Sequence, residues 1–600
     1  MGKAGGVVLR VVASGAGAVA DGVGPGGAAD EPVAVVGEVP RPVAPFGVVG
    51  AESASRWTWD DTAHWYPRLL ADGVRVERCL DLRLAHRLVR GSAYAHGAPL
   101  ARVPAGWFDE VTAPADAATG ASAVRGQPVA GTLFDVDARG AASDASPGPV
   151  APDAAACLAE VALLDEAVAG SAHPGRLRLL VAAESAGALA AAEMHHAGVP
   201  WDVAEHDRVL SALLGARPAS GGRTVPDARP ERMAALAAQV RAALDAPTLN
   251  PDSLPDVLRA LRRAGLPATS TRSWELRGLD HPAIEPLLTY KKLSRLHSAN
   301  GWAWLDRWVA GGRFRPEYVV GGVVTGRWGS SGGGALQLPR QVRSAVRADD
   351  GWSLVVADAA QLEPRVLAGL AHDERMAAAG RGRDLYQGMV DARVVEERAQ
   401  AKVGMLGALY GGTTGASAAV LPRIARAFPR ALGHVEAAAR AGERGEVVTT
   451  LLGRSSPLPG AAWAQVQADA LDPEASRNAE SRARAQTRAW GRFTRNFVVQ
   501  GTAAEWALCW IAEVRRRLWR LGEHDGPPGR APAPFARRPH LVYFLHDELV
   551  VHAPHAWAEA AAAEVRDAAA EAGRLLFGDF AVDFPLSVAV GDTYAAAKGG

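Results

Sequence analysis

The spacing of apolar and polar positions changes several times along the chain, and each change predicts an element. Residues 1–50 alternate Gly, Ala, Val and Pro with short strand-like runs, of which "VVLRVV" predicts a strand. Residues 54–95 are amphipathic and predict two helices around a strand. Residues 110–155, rich in Ala, Gly, Pro and Ser, read as a long loop or linker. From 156 to 215 the period is helical, and "PERMAALAAQVRAALD" and "SLPDVLRALRRAG" continue it, the second behind the cap-like Asn250-Pro251-Asp252-Ser253. From 318 two strand patterns follow, "EYVVGGVVTGRW" and "SLVVADAAQLEPRVLAGL", the latter running into a helix. Helices dominate 362–445 and 474–520. The chain returns to strands in "HLVYFLHDELVVHA" and "DFPLSVAVGDTY", around a helix at 556–576. No internal repeat is present.

Composition narrows this picture. A chain of 600 residues, 48% hydrophobic and 22% charged, fits two to four globular domains. Three cysteines without a CxxC or Cys/His spacing exclude a disulfide framework and a zinc site, and a reducing, cytoplasmic setting is expected. No apolar run is long enough to span a membrane. The first 20 residues faintly resemble a signal peptide, but Arg10 interrupts the apolar part. The 65 basic and 65 acidic residues cancel, which excludes a uniformly basic nucleic-acid binder. Lysine stands only at positions 3, 291, 292, 402 and 598, arginine everywhere else. A lysine in this chain therefore carries more information than an arginine.

Three constellations carry chemistry. In "VVADAAQLEPRVLAGLAHD" an apolar strand ends at Asp358, and Gln361, Glu363 and Arg365 open a helix; Asp358 alone reads as a helix N-cap. In "FLHDELVVHAP" two apolar strands flank His546, Asp547 and Glu548, which alone read as a surface turn. If the two strands are neighbours, Asp358 and Asp547 converge, and two such carboxylates repel unless a divalent cation lies between them. Two Mg²⁺ ions about 4 Å apart form the clamp for in-line attack at phosphorus. A glycosidase-like acid/base pair is the alternative, but it leaves the third constellation without a purpose. There, in "ERAQAKVGMLGALYGGTTG", Arg398, Lys402, Leu406 and Tyr410 recur by fours on one helix face and Gly411-Gly412 end the helix. Two cations, an apolar residue and a tyrosine suit a triphosphate and a stacked base; an ordinary amphipathic helix is the bland reading.

These segments resemble motifs A, B and C of the family A DNA polymerases, the DNA polymerase I family. Motif A is matched by Asp358, Gln361, Glu363 and Arg365, motif B by Arg398, Lys402, Tyr410 and Gly411, and motif C by His546, Asp547 and Glu548. "LLTYKKLSRLHSANG", "TGRWGSSGGGALQLPR", "NFVVQGTAAEW" and "PLSVAVGDTY" resemble lesser family elements, and the resemblance runs from about 176 to 595. It implies a multidomain α+β protein, a right-hand polymerase with an antiparallel palm sheet and helical fingers and thumb. Residues 1–175 would form a small α/β exonuclease-like domain with linker, 176–320 the thumb, 321–386 and 476–600 the palm, and 387–475 the fingers.

The resemblance further implies that Asp358 and Asp547 bind two Mg²⁺ ions, with Glu548 an accessory carboxylate. Arg398 and Lys402 would contact the triphosphate, Lys402 with a proton to give. Gln361 belongs to the nucleotide site. Glu363 would pack under the sugar and exclude a 2′-hydroxyl, and Tyr410 would abut the nascent base pair. His546 would approach the primer terminus and Arg327 the primer minor groove. Arg484, Arg488, Arg492, Asn496 and Gln500 also recur by fours, with Arg482 and Arg495 beside them. Their arginines would hold phosphates, and Asn496 and Gln500 would read minor-groove acceptors. Primer-template DNA and deoxynucleoside triphosphates are the implied partners of a monomeric, nucleoid-associated enzyme.

The pattern departs from the family in two places. Leu406 stands where Phe or Tyr is usual. Residues 1–150 lack the Asp-x-Glu of a 3′–5′ exonuclease, the nearest being Asp135-Val136-Asp137, while "VERCLDLRLAHRLV" (76–89) resembles that domain's scaffold helix. The expectation is a degenerate, silent remnant of the actinobacterial type, without proofreading and without a 5′-nuclease region. A polymerase-like protein that grips DNA without copying it is the alternative, opposed by intact Asp358, Lys402 and Asp547. Glu363 argues against an RNA-copying enzyme.

Overall fold

The computed structural model describes residues 9–14, 32–36, 39–42, 56–98, 100, 106–109, 152–217, 229–336, 338–412 and 415–598, the first three stretches as strand backbone. The expected linker and the Asp135–Asp137 pair fall almost wholly outside them, except that a helix is already formed at Ala154–Ala169.

The N-terminal sheet holds β1 (Leu9–Ser14), β2 (Pro32–Val36), β3 (Val39–Pro42), β4 (Arg56–Trp59) and β5 (Arg78–Asp81), in the order β3-β2-β1-β4-β5. β4 runs parallel to β1 and β5, and the other pairs are antiparallel. Helices α1 (Thr62–Ala71) and α2 (Leu82–Arg90) follow β4 and β5 directly. The expected scaffold helix over 76–89 thus forms only from Leu82, behind the strand Arg78–Asp81. Asp81 ends β5 and caps α2, its side chain accepting from the Leu84 N–H at 2.9 Å, so the change of period falls on one residue.

A second, four-stranded antiparallel sheet joins β6 (Trp352–Ala359), β7 (His540–Leu545), β8 (Glu548–Pro554) and β9 (Leu586–Gly591) in the order β7-β8-β6-β9. Both faces of β6 are covered, which explains its unbroken apolar run. Val355 and Ala357 join a core with Val551 and with Trp510, Val565 and Ala568 of two helices, α3 (Arg477–Arg520) and α4 (Ala558–Phe577). Leu354 and Val356 face Trp304, Phe314, Tyr543 and Tyr594 instead. By strand alternation Asp358 belongs to this second face.

Helices Val203–Leu214, Glu231–Ala243, Leu254–Arg263 and Ile284–Asn300 pack on one another, and Arg398–Tyr410 and Pro429–Glu443 pack against α3. The stretch "EYVVGGVVTGRW" forms less strand than expected. Only Glu317–Val319 and Gly329–Gly332 pair, because Gly321 and Gly326 adopt positive φ (61° and 85°) and turn the chain between them. Among the described residues no helix is long and apolar enough to cross a membrane.

Candidate active site

The hairpin between β7 and β8 has His546 and Asp547 as its two loop residues, since Leu545 pairs with Glu548. His546 takes φ +56°, a conformation costly for a residue with a Cβ, and the Asp547 N–H closes the turn on the Leu545 carbonyl at 2.7 Å. Glu548 lies opposite Asp358 in the β6–β8 ladder, and the Ala359 N–H donates to the Asp547 carbonyl at 2.8 Å. The two strand-end aspartates are therefore held side by side by backbone bonds. Asp547 is open to solvent on one side and walled by protein on the others. Burial, and next the charge of Asp358, push its carboxyl up to about 6.

Sequence reading missed the group that answers this repulsion. Lys598 Nζ lies 2.7 Å from Asp358 Oδ2 and 3.0 Å from Glu548 Oε2. The Tyr594 hydroxyl donates to Glu548 Oε1 at 2.7 Å. Lys598 was visible only as one of five lysines. Asp358 does not cap the next helix: Gln361 does, with φ +50°, at the start of Leu362–Leu370.

Glu363 is bonded at both oxygens, by Arg327 at 2.6 Å and by the Tyr410 hydroxyl at 2.7 Å. Burial and Glu363 raise the Tyr410 phenol well above its ordinary range. Burial, assisted by nearby Arg327, lowers His546 to about 4, so its ring is neutral at pH 7. Arg398, Lys402, Leu406 and Tyr410 all lie on the exposed face of their helix while Ala401, Gly404, Met405 and Ala408 are buried. Gly411 ends the helix at φ +71°. A second missed residue, Asp384, joins the motifs. It accepts from Arg398 at 2.7 Å and from Gln361 Nε2 at 3.1 Å. Burial opposes its ionisation, but the Arg398 bond holds it below the usual carboxylate range. Arg365 is internal, donating to Asp583 at 2.6 Å and to the Gly380 carbonyl at 3.0 Å.

The cationic stripe of α3 is only partly a surface. Arg484 and Arg488 are exposed, and Arg492 reaches the end of the neighbouring helix, where a Cβ on Gly411 would lie 2.7 Å from its side chain. Arg495 does not belong to that surface. It is buried, bonded to the Ala408 carbonyl at 2.9 Å and paired with Glu436. Asn496 is 9% exposed and Gln500 half-buried, so neither stands on the exposed part of the stripe with Arg484 and Arg488.

Among the described residues no three His, Cys, Asp or Glu side chains are gathered as a closed metal cage. Asp358, already paired with Lys598 on one oxygen, and Asp547 nevertheless form an oxygen donor set that attracts positive charge. A hard divalent ion there would complete its shell with water and substrate oxygens.

The chain is similar to known DNA polymerases. The thermostable DNA polymerase I of Thermus filiformis is 29% identical over 350 residues, 53% of this chain and 36% of the relative. That of Thermus aquaticus is 27% identical over 441 residues, 65% of this chain and 48% of the relative. The chain thus spans less than half of the length of these curated relatives. The polymerase domain of Pol1 from M. smegmatis, solved in complex with DNA primer-template and dNTP, is 18% identical. It matches with a TM-score of 0.61 over 91% of this chain and 88% of that one, which bears out the expected α+β polymerase fold. The model of DNA polymerase family A matches residues 231–596, more than half of the chain, and the chain therefore belongs to DNA polymerase family A.

Proposed function

We propose that the chain is a DNA-directed DNA polymerase that adds deoxynucleotides to a primer 3′ end by nucleotidyl transfer, without proofreading. The observation that carries this reading is the pinning of Asp547 beside Asp358 by the Ala359–Asp547 backbone bond. Two Mg²⁺ ions held by Asp358 and Asp547 would activate the primer hydroxyl and neutralise the leaving pyrophosphate. The chain's own residues do the rest. Arg398 and Lys402 bind the triphosphate, and Asp384 holds Arg398 in place for it. Glu363, fixed by Arg327 and Tyr410, walls off the sugar's 2′ position, with Gln361 behind it and Leu406 against the sugar and base. Glu548 is an accessory carboxylate. Neutral His546 meets the primer terminus, and Arg327, Arg492, Asn496 and Gln500 meet the DNA backbone and minor groove.

In this reading residues 176–320 serve as thumb, 387–475 as fingers and the sheet-bearing segments as palm. The N-terminal region is silent. Supporting this, Asp61 is bound by the Arg83 guanidinium at 2.9 Å and Asp81 is engaged by the Thr62 and Leu84 N–H groups. Primer extension on a DNA template, with and without Mg²⁺, is the test. Asp358→Ala and Asp547→Ala should cut the rate by several orders of magnitude while DNA binding persists, because ground-state DNA contacts lie elsewhere. Either variant extending at near wild-type rate would overturn the assignment.

A further inference from the structure

Lys598 is the unassigned group closest to the proposed chemistry. Its backbone is fixed: it follows the one-turn helix Tyr594–Ala597, whose Tyr594 N–H donates to the Val346 carbonyl at 2.9 Å and whose cap, Thr593, accepts from Ala596 at 3.1 Å. Its side chain is a flexible four-carbon stem ending in a compact point charge. That charge lies 2.7 Å from an oxygen of Asp358 and 3.0 Å from one of Glu548, and it is about a quarter exposed. Tyr594 and Lys598 together occupy both oxygens of buried Glu548. They leave Asp358 one oxygen free and Asp547 uncovered.

We propose that Lys598 is a built-in counter-ion that holds the carboxylates of Asp358 and Glu548 together when no divalent ion is bound, and that competes with that ion for Asp358. The proposal rests on the reading of Asp358 and Asp547 as metal ligands. Three carboxylates at one strand end would otherwise repel one another. A divalent ion drawn to the free Asp358 oxygen meets the ammonium's like charge across the same carboxylate, so metal entry drives the lysine stem away while its backbone stays in place. Lys598 is then a positioning residue that sets how much metal, and how much substrate-borne metal, the site needs.

The experiment is Mn²⁺ binding to the whole chain without DNA, followed by electron paramagnetic resonance, together with thermal unfolding in EDTA and in saturating Mn²⁺. A unit charge about 5 Å from a divalent ion, even with the screening of bulk water, corresponds to roughly tenfold in affinity. Lys598→Met should therefore bind the Asp547-dependent Mn²⁺ at least about tenfold more tightly than wild type. It should melt lower than wild type in EDTA, with the difference vanishing in Mn²⁺. Lys598→Arg should keep the weak binding. Lys598→Gln, which can still hydrogen-bond both carboxylates, guards against loss of fold and should also bind more tightly. Equal or weaker Mn²⁺ binding by the Met and Gln variants, while Asp547→Ala still abolishes it, would overturn the counter-ion and leave the metal site standing. Mn²⁺ binding indifferent to Asp547→Ala would overturn both.

Discussion

Glu505 offers a measurable test of how the long helix α3 is anchored. It is fully buried, one turn beyond Gln500. One carboxyl oxygen accepts from the Leu452 N–H at 2.9 Å, and the other meets the Thr450 hydroxyl. Thr450 has one proton and already faces the Arg454 carbonyl at 3.1 Å. The Arg454 carbonyl also accepts from the Thr450 N–H at 2.8 Å, so the hydroxyl can serve an ionised Glu505, whereas a protonated Glu505 donates to Thr450 and leaves that hydroxyl to Arg454. Burial, partly offset by the Thr450 and Leu452 bonds, raises its carboxyl from 4.5 to about 7. A raised folded value means that the native state holds a proton which the unfolded chain releases. The stabilising contribution is complete below about pH 4.5 and is lost as pH rises to about 7. At 1.36 kcal/mol per pH unit this amounts to about 3 kcal/mol. Glutamine reproduces the protonated form: its amide donates to Thr450 and its carbonyl accepts from Leu452. Glu505→Gln should therefore match wild type in Tm near pH 4.5 and exceed it by about 4 °C at pH 8, if roughly 350 residues melt together. Parallel Tm curves across that window, or a variant less stable at every pH, would refute the protonated-anchor reasoning.

The remaining predictions concern the proposed chemistry. Glu363→Ala removes the group held by Arg327 and Tyr410, and should raise the ratio of ribonucleotide to deoxynucleotide incorporation in paired extension assays; an unchanged ratio removes Glu363 from sugar selection. Labelled single-stranded DNA incubated with the protein and Mg²⁺ but no nucleotides should stay intact, whereas 3′ shortening that survives Asp358→Ala would restore an exonuclease to the N-terminal region. Leu406 is 37% exposed on the face shared with Lys402 and Tyr410. An aromatic ring there adds roughly 0.5–1.5 kcal/mol of ring contact, so Leu406→Phe should lower the nucleotide KM by about two- to tenfold with similar kcat. Loss of activity in that variant would mean that the pocket is built around leucine.

What could be read from the sequence was local. Asp358 and Asp547 were found because each ends an apolar run, and the face bearing Arg398, Lys402, Leu406 and Tyr410 because a helix repeats nearly by fours. What escaped depends on elements distant in the chain. Spacing by fours put Asn496 in line with the exposed arginines and Arg495 beside them, but it cannot say that the helix Pro429–Glu443 supplies Glu436 to one side of α3. Asp384 carries no signal of its own; only folding sets it between Gln361 and Arg398. The glycines of 320–328 did carry a signal, and it outweighed the β-branched residues around them.

The paired charges at 547 and 548 show the same division. In sequence they are equivalent neighbours. In the fold Asp547 occupies a strained turn open to solvent, whereas Glu548 is the first residue of a buried strand, 4% exposed. A carboxylate so buried is costly unless bonded, and Tyr594 and Lys598 supply a bond to each oxygen. The cation that makes this charged turn tolerable is thus carried by the segment that follows the last strand of the sheet. That strand, β9, runs antiparallel to β6 and ends at Gly591 beside Leu354, so the segment must turn back along the sheet, held by the Tyr594 N–H on the Val346 carbonyl, to bring Lys598 to Asp358. The sheet that presents the aspartates also fixes where their counter-charge must stand.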